Sequence, residues 1–500
     1  MECSNSSTSW AVGAALLVAI IIVCFSVWSP SCRRAGWLSL AERGRRGAAA
    51  RAPRHIKQAV WPFPNHISTA PVNKGATFRF WYSQVKIPSY QKHLHAAEYN
   101  PLADLNQYAR SLQTRAVPPA GAKRLRVRAR ITRGDQPYKL SQLTAATFAE
   151  DEKYSLSVSA TGVVDIQATT YKGVGYALAT LQQLMEPDPD TGGCLLRNLP
   201  IAIENDAPRT YYRNVMLDTA RTFIDTETLC GVLRLMGLHK MNYLDWHITD
   251  NQSFPLNVGP LTEILSVKPS TDPNFRGMTG AFDIDKTYSM ADVRRILRVA
   301  YNYGITVVPG IDSPGHCSSL MYGSKEASAK VLGTAEGIQM ITNWELKYGG
   351  TENAPEPILG YLDIGQHAGR ATAAQAQCGK VVTVMHAIFE EVMHAFDIAE
   401  GTYGQRFNIN ADEVTYKQSG ITHAVYADYL NSLMQLFEEQ PWQAVRVSMW
   451  IDPIRALNVK EVDKAASKYA YTDAFALRKF SHRLTIGMWN MWPGVPPAVN

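Results

Sequence analysis

A chain of 500 residues, at ~100–200 residues per domain, has room for roughly two to four domains with sizeable cores. Its 46% hydrophobic, 19% charged and 10% aromatic residues match ordinary globular composition, which excludes collagen-like, low-complexity and coiled-coil architectures. The formal charge of +6 comes largely from the stretch between Arg33 and Lys57, so nucleic acid is not an expected partner.

After a short tail, residues 1–9, the run from Trp10 to Trp28 reads W-A-V-G-A-A-L-L-V-A-I-I-I-V-C-F-S-V-W, nineteen residues without a charge. At ~1.5 Å per residue this roughly spans a ~30 Å hydrocarbon layer, and a membrane anchor over residues 10–28 is expected. A cleaved signal peptide would carry a basic n-region, whereas Met1 to Ser9 hold only Glu2. Residues 29–57 read as a basic flexible stem. Its Arg33, Arg34, Arg43, Arg45 and Arg46 would sit on the cytosolic side by the positive-inside rule, which opposes the lumenal, lysosomal or extracellular placement otherwise expected for the body.

Residues 58–206 read as a small α+β domain. R-L-R-V-R-A-R-I-T at Arg124 to Thr132 and Y-S-L-S-V-S-A from Tyr154 alternate as strands do. In G-V-G-Y-A-L-A-T-L-Q-Q-L-M, Leu178, Leu181 and Leu184 share one helical face. Gly173 and Gly175 lack the third glycine and the later acidic residue of a dinucleotide fingerprint, so they mark a helix start.

Residues 207–500 alternate strand and helix. Strands are expected to begin near Asn214, Met241, Ile305, Phe407, Val445 and Leu484, with Asp225 capping one helix and Ser289 with Asp292 forming a capping box before another. Such βα units predict an α/β fold with a parallel sheet, here a (β/α)8 TIM-type barrel with about six strands present. Chemistry in such barrels sits at the carboxyl ends of the strands, which here carry Asp218, His247 with Asp250, Asp312 with His316, Asp412 with Glu413, Trp450 with Asp452, and Trp489. The paired carboxylates Asp412 and Glu413 suit proton chemistry, since one charge can hold its neighbour protonated. Both reach one pocket only where the strand breaks, because adjacent strand side chains face opposite ways. Trp450, Trp489 and Trp492 offer indole walls to a sugar. A metal hydrolase built on His239, His247 and His316 is disfavoured, because H-x-x-x-H spacing is absent and the histidines fall on separate elements.

Four stretches, Y-Y-R-N-V-M-L-D-T-A-R, M-N-Y-L-D-W-H-I-T-D-N-Q-S-F, V-V-P-G-I-D-S-P-G-H and N-I-N-A-D-E-V, resemble in sequence and order the β-N-acetylhexosaminidases, family 20 of the glycoside hydrolases. W-P-F-P, G-V-G-Y-A-L-A-T-L-Q-Q-L and D-A-P-R are similar to that family's non-catalytic domain, so the resemblance runs from about Trp61 to Trp492. It implies removal of terminal β-linked N-acetylhexosamine from a glycan or chitooligosaccharide, with retention, through attack by the substrate's own acetamido oxygen. On that resemblance Glu413 would be the acid and then base, and Asp412 would hold the acetamido N–H and stabilise the oxazolinium charge. Arg213 would bind sugar hydroxyls, Asp250 and His316 would complete the polar network, and Trp450 and Trp489 would wall the acetamido site. No metal or organic cofactor is implied, and a homodimer would fit the family's habit.

The sequence also departs from the family. Asn251 stands where an acidic residue is common, and N-Q-S there is a glycosylation pattern expected to stay unmodified inside a site loop; Asn5 is a second match. Six strands are counted rather than eight, and the family's later tyrosine–leucine–aspartate and tryptophan–glutamate motifs have no counterpart. An open barrel exposes strand edges. The expectation is therefore a piece of an enzyme or, alternatively, a membrane-tethered sugar-binding protein that has lost catalysis.

Overall fold

The alternation of small and apolar residues from Tyr154 builds a strand, Tyr154–Val158, at the centre of a five-stranded mixed sheet. The computed structural model describes residues 64, 66–70, 75–115, 117–133, 145–273, 276–342, 360–366, 371–401, 404–414, 420–450 and 484–487. The apolar run 10–28, the basic stem, Asp452, Trp489 and Trp492 lie outside the described residues. Across the sheet the order is Ile67–Thr69, Ile201–Asp206, Tyr154–Val158, Val163–Ala168 and Arg126–Ile131.

Helix Tyr171–Leu184 packs on this sheet and buries Val174, Leu178 and Leu181 completely, each such side chain contributing ~1.5–3 kcal/mol. Thr170 caps it, its hydroxyl accepting the Lys172 N–H at 3.2 Å. Gly173 serves close packing, since a Cβ there would stand 2.4 Å from the Lys153 carbonyl oxygen. The glycines thus open a helix against the neighbouring loop, as expected.

The second region is a parallel sheet whose six strands lie side by side in chain order: Asn214–Asp218, Tyr243–His247, Thr306–Gly310, Arg406–Asn408, Arg446–Trp450 and Leu484–Gly487. All six begin within two residues of their expected positions. Strand follows strand around the sheet without reversal, as in the wall of a (β/α) barrel. Among the described residues the sheet is open, with the first and sixth strands at its edges. Consequently the second strand is mostly buried, while Met216 on the first is 42% exposed.

The helices start where their caps predict. Asp225 accepts the Thr228 N–H at 2.8 Å before Thr226–Leu238, and Ser289 with Asp292 forms the capping box of Met290–Asn302. Val293, Ile296, Leu297 and Ala300 form the buried stripe of the latter. Cys194, Cys230, Cys317 and Cys378 are all free and buried.

Charged groups tie the α+β sheet to the amino end of the parallel sheet. Arg213 donates to Glu152 Oε2 at 2.5 Å, to Tyr176 Oη at 3.1 Å and to the carbonyl oxygens of Thr210 and Lys240 at 2.6 and 2.7 Å. Lys240, 6% exposed, donates to Tyr154 Oη at 2.9 Å and lies 3.6 Å from Asp206.

Candidate active site

Register decides which side chains meet. Asp218, His247, Gly310 and Asn408 are partners across four neighbouring strands, so the residues following each of them gather at the carboxyl end of the sheet. The fourth strand stops at Asn408, and Asn410, Ala411 and Glu413 turn to φ of 53°, 59° and 54°. This break in alternation lets Asp412 and Glu413 approach the same imidazole. A left-handed alanine costs of order 1–2 kcal/mol, and the loop is pinned by Tyr426 Oη donating to the Ala411 carbonyl at 2.8 Å and Tyr361 Oη donating to that of Glu413 at 3.2 Å.

The imidazole is that of His316. Its Nε2 lies 3.2 Å from Glu413 Oε2 and 3.9 Å from Asp412 Oδ2, while Nδ1 lies 3.2 Å from Asp250 Oδ1. Asp250 in turn accepts from His247 Nε2 at 2.9 Å, from Arg221 Nη2 at 2.6 Å and from the Asn251 N–H at 2.6 Å. Arg221 also pairs with Asp218 at 2.7 Å. Side-chain exposure rises along the chain from Asp250 at 1% through His316 at 6% and Asp412 at 21% to Glu413 at 43%, so Glu413 is the group an incoming molecule meets first.

Electrostatics sort these groups. Burial works against the charge on Asp250, but hydrogen bonds from His247 and His316 and the charges of His316 and Arg221 prevail and hold its carboxyl well below the usual range. Burial likewise opposes the charge on His316, yet Asp250, Asp412 and Glu413 raise its proton affinity. Asp312 goes the other way. Its burial, with the charges of Asp250 and Asp412, pushes its carboxyl far up.

His247, Asp250 and Asp312 each offer a ligand atom within 4.8 Å of the others. The Asp250 oxygens, however, are taken by Arg221, His247, His316 and the Asn251 N–H, so side chains balance the charge at that carboxylate.

The structure therefore brings together Asp412, Glu413, Asp250 and His316 among the expected site residues. Trp450 ends the fifth strand, its backbone N–H donating to the Asn410 carbonyl at 2.8 Å, whereas Trp489 lies outside the described residues. Arg213 corrects an expectation. It precedes the first strand and is spent on Glu152, and five residues at ~3.3 Å put it ~16 Å from the carboxyl end. The guanidinium at the cluster belongs to Arg221. Sequence reasoning leaves Arg221, Asn410 and Tyr361 without a role; the first two lie inside the four motifs, while Tyr361 comes from a segment without one. Asn251 is 7% exposed, and its Oδ1 accepts the N–H groups of Ser318 and Gly360 at 3.1 and 3.0 Å, which makes it a loop clamp.

The sequence matches the catalytic domain of glycosyl hydrolase family 20 over residues 211–469 and a β-acetyl hexosaminidase-like domain over residues 60–184. A β-hexosaminidase of Emericella nidulans is 34% identical over 215 residues, 43% of this chain and 32% of that protein. A probable β-hexosaminidase of Drosophila melanogaster is 37% identical over 172 residues, 34% of this chain and 24% of that one. These matches thus span about a third or less of each relative. A chitobiase structure from Flavobacterium johnsoniae superposes with a TM-score of 0.53 at 18% identity, over 82% of this chain and 55% of that one, a likeness of fold.

Proposed function

Because the chain belongs to glycosyl hydrolase family 20, we propose that it removes terminal non-reducing β-linked N-acetylhexosamine from glycans or chitooligosaccharides by a retaining, substrate-assisted mechanism. The observation that carries this reading is the contact of Glu413 with His316, 3.2 Å apart and backed by Asp250, with Asp412 on the same imidazole. Glu413 protonates the glycosidic oxygen as the acetamido oxygen attacks the anomeric carbon, and the aglycone leaves as an alcohol. Asp412 accepts the acetamido N–H and stabilises the oxazolinium. Glu413, now a carboxylate, takes a proton from the water that opens this ring. Trp450 supports the reading as one wall of the acetamido site, and Trp489 is assigned the other. A binding-only role is disfavoured, because a sugar-binding site gains nothing from a desolvated chain of alternating carboxylates and imidazoles.

The test is hydrolysis of a chromogenic β-N-acetylglucosaminide by the folded chain and by Glu413→Gln. The variant should lose at least ~100-fold in kcat, the lower range for acid–base catalysis. Equal release by both proteins overturns the role of Glu413.

No helix among the described residues is long and apolar enough to cross a membrane. We further assign the run Trp10 to Trp28 as the anchor on its nineteen uncharged residues, and place the body lumenal or extracellular on the glycan substrate proposed above, against the cytosolic side that Arg33 to Arg46 favour by the positive-inside rule. Protection of the body from protease in sealed vesicles is expected; digestion from the cytosolic side would reverse the placement.

A further inference from the structure

Behind the chain from Asp250 to Glu413 lies a second set of buried polar groups to which the hydrolysis just described gives no part. Asp312, 2% exposed, accepts at Oδ1 from the Asn410 amide, and its backbone N–H donates to Thr249 Oγ1 at 3.1 Å. Asp312 Oδ2 has no hydrogen-bond partner among the described residues and lies 3.5 Å from His247 Nε2. The same Asn410 Nδ2 lies 3.1 Å from His247 Nδ1. An amide N–H donates, so Nδ1 is the acceptor and the ring proton sits on Nε2, which hands it to Asp250 Oδ2 at 2.9 Å.

Asp312 and Asp250 bring carboxylate oxygens within 4.8 Å of each other in a desolvated space. Around them stand Arg221 and Asp218 from the end of the first strand, His247 from the second, His316 and Cys317 from the loop after the third, and Asp412 from the loop after the fourth. Among the described residues the guanidinium there is that of Arg221, and it is bonded to Asp218 and Asp250, not to Asp312. Two buried carboxyls so close do not both ionise. Asp250, with its three donors and the His316 ring, keeps the charge. Asp312 accepts from the Asn410 amide alone and keeps a proton.

Resting on the hydrolase reading above, we propose that Asp312 is held as a neutral acid and that Asp312, Asn410 and His247 are positioning residues for Glu413. They leave one buried negative charge, on Asp250, to turn His316 toward the catalytic acid.

Asp312→Asn replaces the neutral acid by a neutral isostere, and urea unfolding of the full chain judges it without any assay. A carboxyl whose proton affinity is higher folded than unfolded makes stability fall as pH rises. From about pH 5 to about pH 8 the wild-type urea midpoint should therefore fall relative to Asp312→Asn; parallel curves, or a relative gain by the wild type, overturn the neutral acid. In the chromogenic assay the same variant should shift the alkaline limb of kcat/KM by less than about 0.5 pH unit, and a larger shift means that a charge was removed. Asn410→Gly keeps the left-handed backbone at ease while deleting the amide. It should lower kcat about tenfold with KM within about twofold, as loss of an outer positioning partner does; an unchanged kcat overturns the positioning role. A folded wild type without hydrolysis sinks the hydrolase reading, while the urea comparison still decides the state of Asp312.

Discussion

Glu413 combines exposure to solvent with contact to a buried imidazole, and that contrast defines its chemistry. Its partner His316 carries a proton affinity raised above the ordinary imidazole value by Asp250, Asp412 and Glu413 against the opposing effect of burial. A raised folded value stabilises fully below the unfolded pKa, ~6.5, and that contribution is lost as pH rises through the folded value. Urea unfolding should therefore show the largest deficit of His316→Gln below about pH 6, shrinking toward pH 9; a deficit that grows with pH would contradict the arrangement. Asp412→Asn removes the charge that the proposed mechanism sets against the oxazolinium and should cost ~10²–10³ in kcat in the same chromogenic assay. The acidic pair, Asp250 and His316 are legible in the sequence as strand-end residues. The arginines are not, although both stand in Y-Y-R-N-V-M-L-D-T-A-R, because resemblance nominates Arg213, while strand polarity puts Arg221 beyond the carboxyl end and Arg213 before the amino end.

At the scale of elements, the joint between the α+β sheet and the parallel sheet explains where Arg213 went. Glu152 is 1% exposed at its side chain, and breaking a buried pair by removing one partner costs ~3–5 kcal/mol. Arg213→Met should lose stability of that order in urea melts while leaving KM within about twofold; a large rise in KM with unchanged stability would restore the sugar-binding role. Lys240 sits in the same joint, and burial lowers its pKa from 10.5 to about 8, Asp206 opposing the shift. Between those values the unfolded chain holds a proton that the folded chain lacks, so stability rises with pH there. Wild type should thus gain on Lys240→Met from about pH 8 to about pH 10, and a steady difference would contradict it. Caps and alternation make most elements readable, Asp225 and Ser289 among them. The fourth strand is shorter than its apolar run suggests, ending at Asn408, because the left-handed turn at Asn410 and Ala411 that aims the acidic pair has no signal in hydrophobic pattern.

For the whole molecule, a helix-backed α+β sheet is followed along the chain by six parallel strands in chain order. Membership of the family is legible in four ordered motifs, whereas packing between domains depends on side-chain pairs such as Arg213 with Glu152 that no single motif announces. The depth of the site depends on several strands at once: their register sets Asp218, His247, Gly310 and Asn408 level, and beyond them Asp312, Asp250 and His316 are buried while the side chain of Glu413 is 43% exposed. The most direct measurement is proton NMR of the sugar released from a β-N-acetylglucosaminide by the folded chain, recorded before mutarotation. Turnover with the β anomer appearing first is the expected result. Release of the α anomer first, or no release at all, would contradict the retaining hydrolysis assigned to Glu413 and Asp412.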